Sequence, residues 1–368
     1  MMSTLMLFRT TRNNEFAMAF CTCYKKYCTV GNEYTTKKNV VHPYRQIHPW
    51  KSENEFVNDL LKNVIYNADG IVAINKPYGI PIHNKKIYDE SSLKICHKIV
   101  NAVNYSIHDV LPYLAKELDV PALIPFMGSE KYMTGIYVFG INDNVCQQLE
   151  KARRRLQTYK LRKYWAITTR VSNEIKGKYN LAMTLQKSSL GIKKPIILTK
   201  WSNNAVKRDE VQILNINYKI ISNSTHNLSS LIEIEASTRH WHSIRLFAST
   251  MLYSPILGDN YHGSRVQNIM GTWIKVNPFA ESCWNMPHIS KELLQLLDIK
   301  KNQQEIIPAH IHLRNIHLIS FGKEKKDISL EAPLIHPFDW TCRQLMFKHI
   351  PELNNDSMED EIKIQIIG

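Results

Sequence analysis

A short strand and a tight turn are encoded by residues 71–83, which read IVAINKPYGIPIH. The apolar residues 71–74 form a continuous run, which is typical of a strand that is buried on both faces. Asn75 and Pro77 end this run, because asparagine and proline favour turns over extended pairing. Gly79 continues the turn, so the stretch predicts a buried strand that ends sharply.

Outside this stretch, the chain alternates between predicted helices and strands. Residues 106–119 predict a helix, because Val110, Leu114 and Leu118 recur at four-residue spacing behind a Ser-x-x-Asp start. Short apolar or alternating runs predict strands at 71–74, 135–139, 164–167, 231–236, 313–321 and 328–330. Together these patterns indicate one domain of mixed α and β structure over residues 57–340.

The chain carries an excess of positive charge. Against 33 acidic residues stand 47 Lys and Arg residues, which gives the 368-residue chain a formal net charge of +14. Such an excess favours an anionic partner, because each contact with a phosphate releases counterions. A predicted helix over 145–156 is apolar on one face and basic on the other, and the basic run continues to Lys163. This strip indicates a nucleic-acid surface, although a charged face is also typical of a helix exposed to water.

The two ends of the chain differ in composition from its middle. Residues 1–50 are rich in Lys and Arg, have only Glu15 and Glu33 as acidic residues, and open with MSTLMLFR, which can form a short amphipathic helix. This composition is typical of a mitochondrial presequence, and a disordered basic tail is the alternative. The mitochondrial matrix is therefore the predicted location. Residues 349–368 are acidic and predict a mobile tail.

Two further stretches combine aromatic, histidine and arginine side chains. One reads RKYWAI at residues 162–167, and the other reads TRHWHSIRL at 238–246, followed by LGDNYHG at 257–263. Taken in order with residues 71–83, these stretches resemble the VvNKPaGlpvH, KxYxA and TGRTHQIRvH...GDxxYG motifs of the RluA-type pseudouridine synthases. Each motif alone is weakly specific, but their shared order is a strong signal.

The end of the predicted domain resembles the same family. Residues 311–316 and 330–334 are similar to its HARRL...APLP ending, so the resemblance covers about 280 residues. The presequence-like start and the degenerate motifs are most similar to the animal mitochondrial members. The resemblance implies an α+β fold, with a mixed, mostly antiparallel sheet in two halves, flanking helices and a central RNA-binding cleft.

The resemblance also implies a reaction. Members of the family are isomerases that detach uracil from its ribose and reattach it through carbon, and they need no metal or cofactor. The target uridine must leave its stack, because the reacting atoms cannot be reached inside a helix. The implied partner is mitochondrial RNA, and messenger, ribosomal and transfer RNA all remain open.

Site residues follow from the motif positions. Tyr164 stands where the family's tyrosine packs on the uracil, and a core tyrosine is the alternative. Arg245 stands at the family's arginine that pairs with the catalytic carboxylate, a task that suits the planar fork of its guanidinium. Substrate and phosphate contacts are expected from Lys76, Arg239 and His242. The cleft rim is expected to bind RNA through Lys131, Arg153, Arg154 and Lys163.

The catalytic loop departs from the family pattern. The family reads HRLDxxTSG, with Asp as nucleophile, whereas residues 127–135 read MGSEKYMTG and place Glu130 at the Asp position. The strand that follows the loop defines this register. Glutamate keeps the carboxylate but moves it by about an ångström, and misplacement on that scale can cost about a hundredfold in rate.

Two interpretations from different classes of function follow. In one, the protein is an active synthase that uses Glu130 as nucleophile. In the other, it is an inactive family member that binds mitochondrial RNA as an assembly factor. Retention of Tyr164 and Arg245 favours activity, and the changed loop favours the binder. A third reading uses His240 with His242 and His310 with His312 as a metal site, but neither pair has the spacing of four that places two ligands on one side of a helix.

Overall fold

The computed structural model describes residues 41–83, 99, 102–159, 162–238 and 240–352. The helices are α1 (Glu53–Lys62), α2 (Ile107–Glu117), α3 (Asp143–Tyr159), α4 (Asn203–Lys207), α5 (Ser243–Thr250), α6 (Lys291–Leu296) and α7 (Phe338–Gln344). The strands are β1 (Val64–Ala68), β2 (Ile71–Lys76), β3 (Ile124–Gly128), β4 (Thr134–Gly140), β5 (Arg162–Ile167), β6 (Lys176–Lys187), β7 (Lys193–Leu198), β8 (Gln212–Asn223), β9 (Ser230–Ala236), β10 (Val266–Ile269), β11 (Thr272–Lys275), β12 (Ile311–Phe321) and β13 (Lys326–Glu331). Among the described ranges, no helix is long and apolar enough to cross a membrane.

One large sheet of eleven strands organises the domain. Its order is β1-β2-β4-β12-β5-β9-β8-β6-β7, and β3 and β13 pair with β4 and β12 outside this path. The β4–β12 pair is parallel, and the other pairs are antiparallel. Strand β12 therefore joins a half built on β2 and β4 to a half built from β5 to β9. The predicted α+β class, with a mostly antiparallel sheet in two halves, is confirmed.

Local patterns explain why several elements form where the sequence predicted them. Helix α2 begins after Ser106, whose backbone N–H donates to the Asp109 carboxylate at 2.7 Å in a capping box. Every residue of β4 is buried, as the apolar run predicted. The apolar face of α3 places Leu149, Ala152 and Leu156 in the main core. The basic face of α3 is thereby left toward solvent.

Gly135 allows β12 to cross close to the start of β4. Its φ of +106° is a conformation that residues with a Cβ rarely adopt, and a Cβ there would collide with the backbone of Leu313. The neighbouring pair of the parallel ladder is Thr134 and His312. The Thr134 hydroxyl and the His312 Nδ1 atom lie 2.8 Å apart in a buried hydrogen bond. The loop before β4 is therefore tied directly to the central strand.

Residues on both sides of the predicted 57–340 range pack onto the domain. The Tyr44 ring is completely buried, and its hydroxyl hydrogen-bonds the Thr341 hydroxyl at 2.7 Å. The same Thr341 oxygen lies 2.7 Å from the Nε2 atom of His310. His48 is also buried and lies 2.8 Å from the Tyr78 carbonyl. These contacts connect residues 42–50 to helix α7, to His310 just ahead of β12, and to the turn that contains Tyr78.

Buried histidines make the stability of this domain depend on pH. Burial lowers the pKa of His310 from 6.5 to about 3, and that of His48 and His312 to about 4. As the pH falls below 6.5, the unfolded chain binds protons at these side chains that the folded chain does not bind. We expect the free energy of unfolding to decrease steadily from pH 6.5 toward pH 4, measured by urea unfolding at several pH values.

The variant His312→Gln provides the control, because glutamine does not titrate. Its free energy of unfolding should fall less steeply with acidification than that of the native chain. Equal slopes for the two proteins would show that His312 does not remain neutral in the folded state.

Candidate active site

Glu130 lies at the tip of a tight turn between β3 and β4. The Met133 N–H donates to the Glu130 carbonyl at 3.0 Å, and the Ser129 N–H donates to the Ile136 carbonyl at 2.9 Å. The Ser129 hydroxyl adds a bond to the Gly135 carbonyl at 3.1 Å. The Glu130 side chain remains 28% exposed, so its carboxylate can be reached from solvent. The structure thus presents a carboxylate on a rigid turn at the position that the sequence predicted.

Lys76 supports this turn from inside the protein. It is completely buried, and its ammonium donates to the carbonyls of Pro77 at 2.8 Å, Met133 at 2.9 Å and Ile80 at 3.3 Å. Burial, together with the smaller effect of the positive charge of Lys131, lowers its pKa from 10.5 to about 7. The expected phosphate contact has no support here, because the ammonium does not reach the surface. Its contacts give Lys76 a role in joining the 77–80 turn to the Glu130 turn.

Arg245 forms a buried ion pair with Asp259. Both side chains are almost completely enclosed, and the same Asp259 oxygen accepts bonds from the backbone N–H groups of Tyr261 at 3.1 Å and His262 at 2.9 Å. The guanidinium also lies over the Tyr132 ring, 4.5 Å from its centroid. The sequence predicted pairing with the catalytic carboxylate at 130. The structure corrects this prediction, because the carboxylate that Arg245 binds is Asp259.

The ion pair that Glu130 makes is with His242. The Nδ1 atom of His242 lies 3.9 Å from the Glu130 carboxylate and 2.9 Å from the Tyr132 hydroxyl. His242 and Trp241 have positive φ angles of 62° and 52°, which are costly for residues with side chains. Surrounding contacts must hold this conformation. The backbone between β9 and α5 is therefore bent so that His242 faces the Glu130 turn.

Tyr164 lies in the main core and not on an open cleft wall. It is 1% exposed, and its cross-strand neighbours are Ile234 and Leu313. The alternative reading, a core tyrosine on a strand, describes its surroundings in this structure. Contact between its ring and a uracil would require the packed side chains around it to separate.

The predicted RNA-binding rim is divided among separate surfaces. Lys163 points to the sheet face opposite Tyr164, where its ammonium lies 3.8 Å from Glu235. Arg153 is held by Glu150 through two hydrogen bonds of 2.8 and 2.6 Å. The side chain of Arg154 is highly exposed, and Lys131 lies beside Glu130 and is half-buried. Arg239 lies outside the described residues.

A small cavity lies beside the end of β3, ahead of the Glu130 turn. It has a volume of about 230 Å³ and includes Arg153, Arg162, Thr238 and His240 in its lining. Residues of α3 and of the 238–246 motif therefore line one cavity, although they are distant in the sequence.

Three residues of the site were not predicted from the sequence. Tyr132 connects Glu130, His242 and Arg245, while Asp259 provides the buried carboxylate. His262 is completely buried beside His242, with ring centroids 5.2 Å apart, and burial holds its pKa well below 6.5. Asp259 and His262 lie in the quoted 257–263 stretch, so their motif was visible. Their partners were not, because sequence spacing does not reveal which side chains meet.

Histidines near the site do not form a metal centre within the described ranges. There, no group of three or more His, Cys, Asp or Glu side chains is arranged to hold a metal ion. His310 and His312 are instead hydrogen-bonded to Thr341 and Thr134.

Comparison with known proteins shows which proteins this chain is similar to. No protein-family model matches the chain. The solved structure of Human RNA Pseudouridylate Synthase Domain Containing 4 superimposes with a TM-score of 0.57 over 80% of this chain and 97% of that chain, at 22% identity, which shows the shared fold. With the ordered motifs and the relatives below, this shared fold makes the chain similar to the RluA-type pseudouridine synthases, whose members are isomerases.

The matched relatives are mitochondrial members of that class. The human Pseudouridylate synthase RPUSD4, mitochondrial, is 25% identical over 332 residues, which cover 86% of this chain and 76% of the human protein. The zebrafish (Danio rerio) protein of the same name is 24% identical over 306 residues, or 79% of this chain and 74% of the relative. The human Mitochondrial mRNA pseudouridine synthase RPUSD3 is 21% identical over 310 residues, or 82% of each chain.

Removal of the buried carboxylate at 259 should be strongly destabilising. Asp259→Asn leaves the Arg245 guanidinium enclosed without its counter-charge, so we expect a loss of about 3–5 kcal/mol in the free energy of unfolding. Urea unfolding measures the change. Glu235→Gln is the matched control, because its partner Lys163 is 43% exposed. That variant should lose less than about 1 kcal/mol, and a similar small loss for Asp259→Asn would contradict the buried pair.

The depressed pKa of Lys76 gives a second stability prediction. Between pH 7 and pH 10.5 the unfolded chain keeps a proton on Lys76 that the folded chain has released, so stability should rise with pH. We expect the native chain to gain stability from pH 7 to pH 9 in urea unfolding. Lys76→Met should lack this gain, whereas Lys51→Met, at an exposed lysine, should retain it. A gain that persists in Lys76→Met would assign the effect to another group.

Proposed function

We propose that the protein is an active RNA pseudouridine synthase that isomerises uridine to pseudouridine in mitochondrial RNA, with Glu130 as its nucleophile. The position of Glu130 carries this proposal. Its carboxylate is partly exposed on a turn that backbone bonds and Lys76 hold in place. A nucleophilic carboxylate must be ionised and fixed before it attacks, and a rigid turn meets the second need.

The chemistry explains why a cofactor is not proposed. The reaction exchanges one bond from uracil to ribose for another, so it needs a carboxylate, a cation to stabilise it and an enclosure for the extruded base. Glu130 provides the carboxylate and His242 lies in ion-pair distance. Tyr164 is the proposed base-stacking residue, which requires movement of the core around it on binding.

Relatives support the location and the substrate class. The matched relatives carry "mitochondrial" in their names, which bears out the location predicted from the basic start of the chain. One relative is named for mitochondrial mRNA, so mitochondrial mRNA is the first substrate to test, beside ribosomal and transfer RNA. Residues 1–50 remain the proposed presequence segment. Cleavage ahead of His42 would preserve the packed contacts of Tyr44 and His48.

One observation favours the second candidate, an RNA-binding assembly factor without activity. Arg245 is engaged with Asp259, so the ion pair that the sequence predicted for the nucleophile is absent among the described residues. A carboxylate that lacks this partner is less well held in the ionised form and the reactive orientation. Arg153, Arg154 and the cavity beside them would serve RNA binding equally in an inactive protein.

Tritium release from RNA labelled at C5 of uridine tests activity directly, because the reaction replaces that hydrogen. We expect native protein to release label from mitochondrial RNA and Glu130→Ala to release none above background. Glu130→Asp should retain activity, because it restores the family's residue. Glu324→Ala, an exposed glutamate on the β12–β13 turn, is the matched control and should behave as the native protein does.

Each other result leads to a different conclusion. Equal release by the native protein and Glu130→Ala would assign the nucleophile to another carboxylate. Binding of RNA without release by any variant would support the assembly factor.

A further inference from the structure

Glu130 needs a positive partner that the nearby arginine does not supply. Arg245 is committed to Asp259, and the Lys76 ammonium donates to three backbone carbonyls. In this structure the ion pair of Glu130 is with the imidazole of His242. Histidine carries a positive charge only when it is protonated, so this pair can be formed or lost near neutral pH.

Tyr132 links these two side chains through one hydroxyl group. Its oxygen lies 2.9 Å from the His242 Nδ1 atom, and it also hydrogen-bonds the Glu130 carboxylate. The ring is buried against Arg245, so the hydroxyl has little freedom to move. Burial raises the pKa of Tyr132 well above 10, so the phenol keeps its single proton at neutral pH. That proton can be donated to only one of the two neighbours at a time.

We propose that protonated His242 is the positioning residue that holds Glu130, acting directly and through Tyr132. The protonated Nδ1–H donates to the Tyr132 oxygen, and the Tyr132 O–H then donates to the Glu130 carboxylate. When His242 is neutral, its Nδ1 atom accepts the hydrogen bond from the Tyr132 O–H instead, so Glu130 loses both the neighbouring positive charge and the hydrogen bond from Tyr132. His242 thereby takes the role expected of Arg245. This inference rests on the proposed function of Glu130 as nucleophile.

Groups packed around His242 are compatible with this arrangement. The titratable and charged side chains that face it or its partners are Glu130, Tyr132, Arg245, Asp259, Tyr261, His262, Tyr78, Lys76, Lys131, Lys194 and Arg265. Arg245 and Asp259 offset each other's charge, and burial keeps His262 neutral by lowering its pKa well below 6.5. Lys76 has a pKa of about 7 and therefore requires its own control.

The pairing can be measured without catalysis. In NMR spectra of histidine-labelled protein, the titration midpoint of the His242 imidazole should lie at lower pH in Glu130→Gln than in the native protein, because the variant lacks the negative partner. The control Glu324→Gln should leave the midpoint unchanged. An unchanged midpoint in Glu130→Gln would overturn the inference, whether or not the protein is active.

Kinetics then separate a positioning residue from an RNA contact. Asparagine tolerates the left-handed backbone at 242 but cannot become a cation. We expect His242→Asn to lower kcat by at least about tenfold with little change in KM. In the native protein, we expect kcat to decline as the pH rises and His242 loses its proton. This decline should disappear in His242→Asn and persist in Lys76→Met. Tyr132→Phe should lower kcat in the same way.

Other outcomes have definite meanings. A raised KM with unchanged kcat and an unchanged pH profile in His242→Asn would make His242 a phosphate contact and overturn the inference. Absence of label release from the native protein would reject the proposed activity. The NMR midpoint would still decide whether His242 and Glu130 are paired.

Discussion

The buried ion pair of Arg245 and Asp259 is the interaction on which the site depends. Removing two charges from water has a high cost, and that cost is offset because each charge neutralises the other and two backbone N–H groups also donate to the carboxylate. The pair fixes the start of α5 against the 257–263 turn. Tyr132 packs on the guanidinium, so the turn that carries Glu130 is positioned by the same pair.

A second constraint acts on the turn between β3 and β4 that carries Glu130. The Lys76 ammonium donates hydrogen bonds to three backbone carbonyls. Gly135 allows β12 to lie close to the start of β4. Residues from the 71–83 and 127–135 stretches are thus joined although more than fifty positions separate Lys76 from Met133. The cost of this arrangement is a buried lysine whose charged form is disfavoured. Such a group is tolerated because its donors are satisfied.

Together these constraints hold the changed loop, and with it the Glu130 carboxylate, in a defined position. The family pattern supplies an arginine within the loop, and this chain does not. His242 and Tyr132 fill the space beside Glu130 with groups that can donate hydrogen bonds. A histidine partner makes the charge of the site depend on pH, which an arginine partner would not do.

The sequence by itself determined the class of fold, the positions of six of the thirteen strands in the described residues, and the register that places Glu130 on the turn between β3 and β4. Apolar periodicity, the Ser106–Asp109 start of α2 and ordered motifs are local signals, and local signals survive in a linear sequence. Tertiary structure alone decided that Arg245 binds Asp259, that Lys76 is buried, and that Tyr164 and Lys163 face opposite sides of one sheet. The spacing of residues along the sequence shows which of them share one face of a helix or strand. The partner of a buried charge depends instead on which distant segments meet in the folded chain.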